Sequence, residues 1–414
     1  MVSLARKHLL EDIPRLLVAQ AGIMFAVSLV TIQTGIFNGF SRSAAKLIDN
    51  SQADLWVASK SMVYVDLTLP IPQAHVVLAQ EVAGVERAEA LIARGSVWRH
   101  PSGEIAPVRV IGFNPNGQLF VPTNITQGSV SALKEPYTVM VDVTNLDSLK
   151  VRKIGDVAEV GTLPARLVGF TQRNRSIASN AYMFTSLESA NAYLNSGQTS
   201  SLSCRLQSGS TGIQCTNTYE KPDPTSTSSV PKQLAASDPI TYVLIQAKPG
   251  QDLEALKQKL EATLPDTRAY TRAEMIEMTQ TYWQKRTGIG FLLGLGAAVG
   301  IIVGAIVVGQ ILYSSVSDHI KEFGTLKAMG ASDWVIYCAI VEQALWMAIL
   351  GYIPSMVLCL GVVAWTFASQ GIMILITPAT AIAAFGITVV MCVGSAIFAI
   401  QKVTRVDPAI VFKA

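Results

Sequence analysis

Four stretches of this chain are apolar for long enough to cross a bilayer, and they leave few architectures open. A hydrocarbon core of about 30 Å takes roughly 20 apolar residues in a helix, because every backbone polar group inside it must find its partner within the chain. Leu16 to Phe37 and Gly288 to Tyr313 carry no charge at all. From Trp334 to Ile400 the only charged side chain is Glu342, a run that holds two spans, 334–367 and 372–400. The break falls in "ASQGIMILITP", where Ser369, Gln370, Gly371 and Pro378 supply turn chemistry. The rest of the composition agrees: half of the 414 residues are hydrophobic and 15% charged, too apolar for a soluble domain of this size. A net charge of +3 with no basic run argues against a nucleic-acid partner.

The basic residues Arg6, Lys7 and Arg15 before the first span raise the alternative of a cleaved signal peptide. Its apolar region is too long and no small-x-small cleavage site follows, so we read a retained span after a short cytoplasmic segment, 1–15. Lys321 and Lys327 lie between the second and third spans, and Lys402, Arg405 and Lys413 follow the fourth in the tail 401–414. The positive-inside rule puts these segments and both termini in the cytoplasm. Residues 38–286 then form one large domain outside the membrane, and a domain of that length translocates largely regardless of the charges that flank it.

Within that domain "ADLWVAS" reads as a strand, "IPQAHVVLAQEVAG" as a helix, and "ERAEALIARGSVWR" with "IAPVRVIGF" as paired strands. Near its end "TYVLIQA", "GQDLEALKQKLEATL" and "TRAYT" read as strand, amphipathic helix and strand. Two separated βαβ-like pieces predict a compact α+β subdomain built from both ends of the insertion, with a β-rich inserted subdomain at about 123–231. The Ser/Thr/Pro-rich "TSTSSVPKQLAASDP" reads as a loop. Cys204 and Cys215 are the only cysteines outside the spans, with ten residues between them in an oxidising compartment, and we expect a disulfide that closes a small loop. Two unpaired thiols are the alternative.

No enzymatic signature appears. There is no G-x-x-x-x-G-K-[ST] loop, and His8, His75, His100 and His319 show no spacing suited to zinc, so no catalytic residue, metal or cofactor is assigned to this chain. The second span does carry Gly296, Gly300 and Gly304 at four-residue spacing, a device for close helix approach in lipid, either within the bundle or in a dimer. Glu342 sits near the cytoplasmic boundary of the third span and is read as a structural brace, since no span holds a second acid or a histidine for a proton relay. Gln20, Gln33, Gln310 and Gln343 are expected as polar contacts inside the bundle.

Between the second and third spans, 314–333 is a charged island, "SSVSDHIKEFGTLKAMGAS" up to Ser332. As one helix it places Val316, Ile320, Phe323, Leu326 and Met329 on one side and Asp318, Lys321, Glu322 and Thr325 on the other, with Gly330 as its C-cap. It either lies on the lipid headgroups or docks a cytoplasmic partner.

"SVSDHIKEFGTLKAMGAS" followed by "EQALWMAILG", together with the basic ending "KVTRVDPAIVFKA", resembles the MacB/FtsX-type family of ABC transporter permeases, and "QILYSSVSDHIKEFGTLKAMG" is most similar to the DevC-type members whose ATPase is a separate chain. The resemblance implies an α-helical membrane protein of four transmembrane helices with a large α+β porter-like extracytoplasmic domain. It implies a homodimer bound to two copies of a cytoplasmic ABC ATPase that holds the ATP and magnesium. It further implies a coupling helix that seats in a groove of that ATPase through Asp318, Ile320, Lys321, Glu322, Phe323, Leu326, Lys327, Met329 and Gly330. Phe323 and Met329 are expected to fill an apolar pocket of that partner, and "EMIEMTQTYWQKRTGIG" to continue the second span outward as a stalk. A periplasmic membrane-fusion protein, an outer-membrane channel and membrane lipid are the remaining partners such machines use. Export of an amphiphilic or lipid-like compound is the leading expectation. An FtsX-like transmitter controlling a cell-wall hydrolase and a lipoprotein-releasing permease share the topology.

Overall fold

The computed structural model describes residues 13–404 apart from 175, 177–178, 196–198, 207–212, 221–229, 287, 331 and 371–373. The chain forms two compact units: Ser41–Trp283, and a second unit built from the residues before and after it.

Among the described residues the second unit contains four helices long and apolar enough to cross a membrane. These are α1 (Ile13–Ala44), α6 (Ile289–Asp318), α8 (Asp333–Gln370) and α9 (Pro378–Thr404). A short helix, α7 (Ile320–Ala328), lies between α6 and α8. Most of the segments 1–15 and 401–414 lies outside the described residues. Several boundaries depart from those read from hydropathy, because hydropathy follows lipid contact while a helix ends where its backbone is capped. The first helix runs beyond Phe37 to Ala44. The third reaches Gln370 rather than 367. The fourth begins at Pro378, not 372, because Thr377 caps it: Thr380 N donates to Thr377 Oγ1 at 3.2 Å and Thr377 N donates to Thr380 Oγ1 at 2.9 Å, with proline in the first helical position. The extended segment before it crosses α1, where Leu375 N donates to the Gly35 carbonyl at 2.9 Å. A Cβ at Gly35 would lie 2.7 Å from Ile374 Cγ2, so only glycine lets that segment approach.

The Ser41–Trp283 unit has two lobes on one continuous ten-stranded arrangement. Its base uses β1 (Leu55–Ser59), α2 (Ala74–Gln80), β2 (Val85–Arg99), β11 (Tyr242–Ala247), α4 (Leu253–Thr263) and β12 (Thr267–Thr271). Strand order is β12-β1-β11-β2, every neighbouring pair antiparallel. The two halves are thus interleaved split βαβ units, the ferredoxin-like arrangement. Every residue of β1 is buried: Leu55 and Val57 join the cluster holding Leu256 and Leu260 of α4, while Trp56 and Ala58 join the opposite cluster with Leu47, Ile48 and Met275. The period-two alternation of a strand covered on both faces requires this.

The second lobe is a closed barrel. Its strands are the outer half of β2, β3 (Ile105–Phe113), β5 (Thr138–Asp142), β6 (Val157–Val160), β7 (Leu163–Thr171) and β8 (Ala181–Ser186), with β4 (Ile125–Gln127) added beside β7. Pairing runs β2-β3-β8-β5-β7-β6 and returns to β2. The lobe therefore begins earlier than residue 123. The 15-residue β2 pairs with β11 through residues 85–91 and with β3 through 92–99, so one strand belongs to both lobes. The β-hairpin β9 (Thr199–Leu206) and β10 (Ile213–Glu220) follows α3 (Leu187–Asn195). Of the Ser/Thr/Pro-rich stretch, 225–229 lies outside the described residues and 230–235 has no regular structure.

Helix α3 packs on β3 at Gly112, where a Cβ would lie 2.2 Å from Ala190 Cβ and 3.3 Å from Ile92 Cβ. Gly112→Val is expected to destabilise this lobe by about 1–3 kcal/mol through overpacking. A lowered melting temperature of the full chain in detergent checks it.

Candidate functional site

Helix α6 does not stop at the end of its apolar run but carries Ser314 to Asp318 with it. The turn comes at His319, whose backbone (φ −95°, ψ 17°) leaves the helix. Its N–H donates to Ser315 O at 3.2 Å, and its own carbonyl accepts from Phe323 N at 3.1 Å to start α7. Gly330, at φ +91°, ends the segment with its N–H on Lys327 O at 3.1 Å. The island is therefore not one amphipathic helix. Val316 belongs to the membrane helix and Met329 to the cap.

The expected apolar face divides accordingly. Phe323 is 3% exposed and Val316 1%, and both belong to the bundle's own buried cluster with Ile336 and Ile340 of α8. Leu326 packs at its edge and Ile320 is half-buried. Phe323 thus anchors α7 to this chain and is not free to fill a partner's pocket. Met329 is 71% exposed and Trp334 72%, with Val335 beside it. Asp318, Glu322 and Thr325 are exposed, Lys327 is half-buried, and the Lys321 side chain lies outside the described residues. Periodicity located the apolar side chains but assigned them one common neighbour, and burial splits them between two.

One polar bond braces this corner. Gln343 of α8 donates through Nε2 to Ser315 Oγ of α6 at 3.1 Å, with both side chains buried. The neighbouring Glu342 is half-buried. Gln20 Nε2 reaches Met347 O at 3.5 Å, at the outer limit of a hydrogen bond, whereas Gln310 is exposed on the outside of the bundle. The glycine row has a direct contact inside the chain: Cβ atoms at Gly296, Gly300 and Gly304 would meet Gln33 (2.2 Å), Leu29 (2.7 Å) and Ala26 (2.6 Å) of α1. Of the two roles open for these glycines, packing within the bundle is the one the contacts display. The predicted stalk, α5 (Arg272–Arg286), is a helix of its own, because Gly288 at φ +66° interrupts it before α6.

Sequence reading missed a charged centre in the other unit. Asp66 and Arg109 form an ion pair at 3.0 Å (Arg109 Nε to Asp66 Oδ1), each side chain about 10% exposed. Arg109 sits on β3 and also donates through Nη2 to Ala93 O at 2.9 Å. The Asp66 carbonyl lies 3.5 Å from Nη1, and the Val65 carbonyl 3.5 Å from the same Nη2. Burial lifts the Asp66 carboxyl above its ordinary value, and Arg109 opposes the shift. Tyr182 and Tyr242 lie in the same electrostatic environment, and burial raises both phenols far out of the physiological range. A lone Asp in a loop and a lone Arg in a strand carry no pattern at a separation of 43 residues, so no sequence signal marks the pair.

Cys204 and Cys215 face each other as register partners across the β9–β10 hairpin. Their side chains lie outside the described residues. Among the described residues no group of three potential metal ligands occurs.

Two family models cover most of the chain. The MacB-like periplasmic core domain matches residues 16–263 and the FtsX-like permease C-terminal domain matches 294–408. The chain belongs to the MacB/FtsX-type family of ABC transporter permeases. It is a multi-pass membrane protein, and its family implies an ATPase partner. An uncharacterized ABC transporter permease of Mycobacterium tuberculosis is 23% identical over 405 residues, 95% of this chain and 94% of the relative. The macrolide export ATP-binding/permease protein MacB of Hyphomonas neptunium is 29% identical over 125 residues, 30% of this chain and 19% of that protein. Among solved structures, the extracellular domain of the transporter YknZ from Gram-positive bacteria matches with TM-score 0.34 and 9% identity, over 52% of this chain and 99% of that one.

Phe323→Ala is expected to destabilise the bundle by about 3–5 kcal/mol as a buried aromatic truncation, whereas Met329→Ala leaves stability unchanged. Melting of the two variants in detergent distinguishes them. Arg109→Leu leaves a buried carboxylate without its counter-charge and is expected to cost about 3–5 kcal/mol at neutral pH. Because the folded-state value of Asp66 is raised, its favourable contribution is complete below the unfolded-state value and is lost as pH rises through the folded one. The Arg109→Leu defect should therefore shrink at mildly acid pH, where the protonated carboxyl needs no partner. Denaturation curves at the two pH values check this.

Proposed function

We propose that this chain is the permease of a split ABC exporter, in which a separate cytoplasmic ATPase drives movement that is delivered to the external unit without a solute channel through the bundle. The observation that carries the reading is the division of the island helix. Phe323 and Val316 bind α7 and the end of α6 to the bundle core, and the Gln343–Ser315 bond ties the same corner to α8, so a push on α7 is passed to two membrane helices. The exposed Met329 and Trp334, with Glu322 and Thr325 beside them on the outer side, form the surface that would meet the ATPase. Met329 and Trp334 supply the apolar contact and Glu322 the orientation. The basic residues at the island and around the first and fourth spans support a cytoplasmic position for this surface in a bacterial inner membrane.

The separate ATPase is supported by near-full-length similarity to relatives named simply as permeases. An amphiphilic cargo is supported by the bundle itself, whose main buried cluster is apolar and whose buried polar side chains Ser315, Gln343, Ser355, Thr388 and Ser395 are uncharged and bonded within the bundle. Relatives that match parts of the chain are named for macrolide and pyoverdine export, a direction consistent with handling on the external side. A homodimer, a membrane-fusion protein and an outer-membrane channel complete the proposed machine. A disulfide between Cys204 and Cys215 would staple the β9–β10 hairpin, since directly opposed antiparallel positions bring Cα atoms within bridging range.

The test is Met329→Asp together with Thr325→Trp in the full chain co-expressed with its ATPase. Loss of co-purification and of substrate-stimulated ATP hydrolysis, with an unchanged melting temperature, is the expected result. Normal assembly and transport by the double variant would overturn the docking assignment.

A further inference from the structure

The loop between β1 and α2 makes a tight hairpin, with Val63 N donating to Leu67 O and Leu67 N to Tyr64 O, both at 2.9 Å. Its apex is held from beneath. Val65 is fully buried, its N–H lies 3.4 Å from Thr279 Oγ1 of α5 and its carbonyl accepts from the Tyr242 hydroxyl, while Asp66 is locked by Arg109. Tyr64 stacks on Tyr282 of α5 at 4.1 Å and meets Trp283 edge-on at 5.7 Å. With its backbone fixed in this way the hairpin still presents Val63, Leu67 and Leu69 outward, 42%, 50% and 58% exposed. Three outward apolar side chains on one hydrogen-bonded loop form a candidate contact surface.

The chain itself says where this cluster lies. Five residues separate Trp283 from Ile289, the first residue of a membrane-spanning helix, so Trp283 is within about 20 Å of it even if the intervening chain is fully extended. Those residues include Lys285 and Arg286. Tyr and Trp with adjacent Lys and Arg immediately before a span are the composition of a membrane–water boundary, where amphipathic rings sit among headgroups and basic groups meet phosphate. The Tyr64 hairpin is stacked on those same rings.

We propose that the Val63–Leu69 hairpin is a lipid-contacting finger, with Val63, Leu67 and Leu69 inserted at the headgroup–acyl boundary of the membrane on the side of the external unit. Tyr64, Tyr282 and Trp283 form its belt, and the Asp66–Arg109 pair fixes the loop by holding its apex to the barrel strand β3. The proposal rests on the membrane reading and is independent of whether the chain exports a compound.

The full chain is reconstituted in nanodiscs of phosphatidylcholine and phosphatidylglycerol with a photo-crosslinking amino acid in place of Leu67. A matching variant at Val97, an exposed apolar residue of the barrel lobe, serves as the control. The expected result is a covalent lipid adduct at position 67, seen by mass spectrometry, several-fold above that at position 97, with both variants melting like the parent. Equal adduct at the two positions, or cross-linking of position 67 only to a second copy or another protein, overturns the proposal. Transport activity is not read, so failure of the export reading leaves this outcome unaffected.

Discussion

Inside a bilayer there is no water to satisfy a backbone, and apolar side chains gain nothing by leaving lipid for one another. Helices there associate only where their surfaces allow close contact. In this protein that condition is met by the row Gly296, Gly300 and Gly304, against which Ala26, Leu29 and Gln33 of α1 lie. Gly22 receives Val307 and Gly351 receives Ile23 in the same manner. The position of the two helices that flank the external unit in sequence therefore depends on side chains that are missing. The apolar cluster built from α1, α6, α8 and α9 around them is the seat into which Phe323 fits.

That seat gives the charged island its character. A surface helix lying on headgroups would show its apolar side to lipid, whereas α7 gives its largest apolar residue to the bundle and keeps polar residues with Met329 outside. The hinge at His319 and the cap at Gly330 hold it at both ends. In the external unit a comparable economy of connection appears in β2. This one strand is shared by the split βαβ base and by the barrel, so the two lobes cannot separate without breaking its ladder. The buried Asp66–Arg109 pair adds a second tie, from the loop after β1 to the barrel strand β3.

Much of this was legible because it follows from local pattern. The four apolar runs, the Ser369–Gly371 and Pro378 signals for the break before the fourth helix, the amphipathic "LEALKQKLEAT" and the strand patterns each act within a few residues. The errors have a common origin. The barrel was started too late because nothing in "ERAEALIARGSVWR" marks the point where its pairing partner changes. The stalk was read as continuous with the second span because Gly288 in a glycine-rich run does not announce a left-handed conformation. Phe323 was assigned to a partner because helical periodicity reports that a face is apolar and is silent on what covers it. The ion pair was invisible for the same reason, since its two residues meet only after the loop folds onto β3.

The amino-acid sequence by itself determined the membrane class, the number of spans, the large external insertion and the family, because hydrophobic length, charge placement and short motifs are properties of contiguous residues. Only the tertiary structure decided which apolar side chains are core and which are surface, that the barrel closes through a shared strand, that Cys204 stands opposite Cys215, and that a hairpin is pinned against Tyr282 and Trp283. Each of these is a contact between distant segments, and a contact of that kind exists only once packing and hydrogen bonding have brought its two sides together.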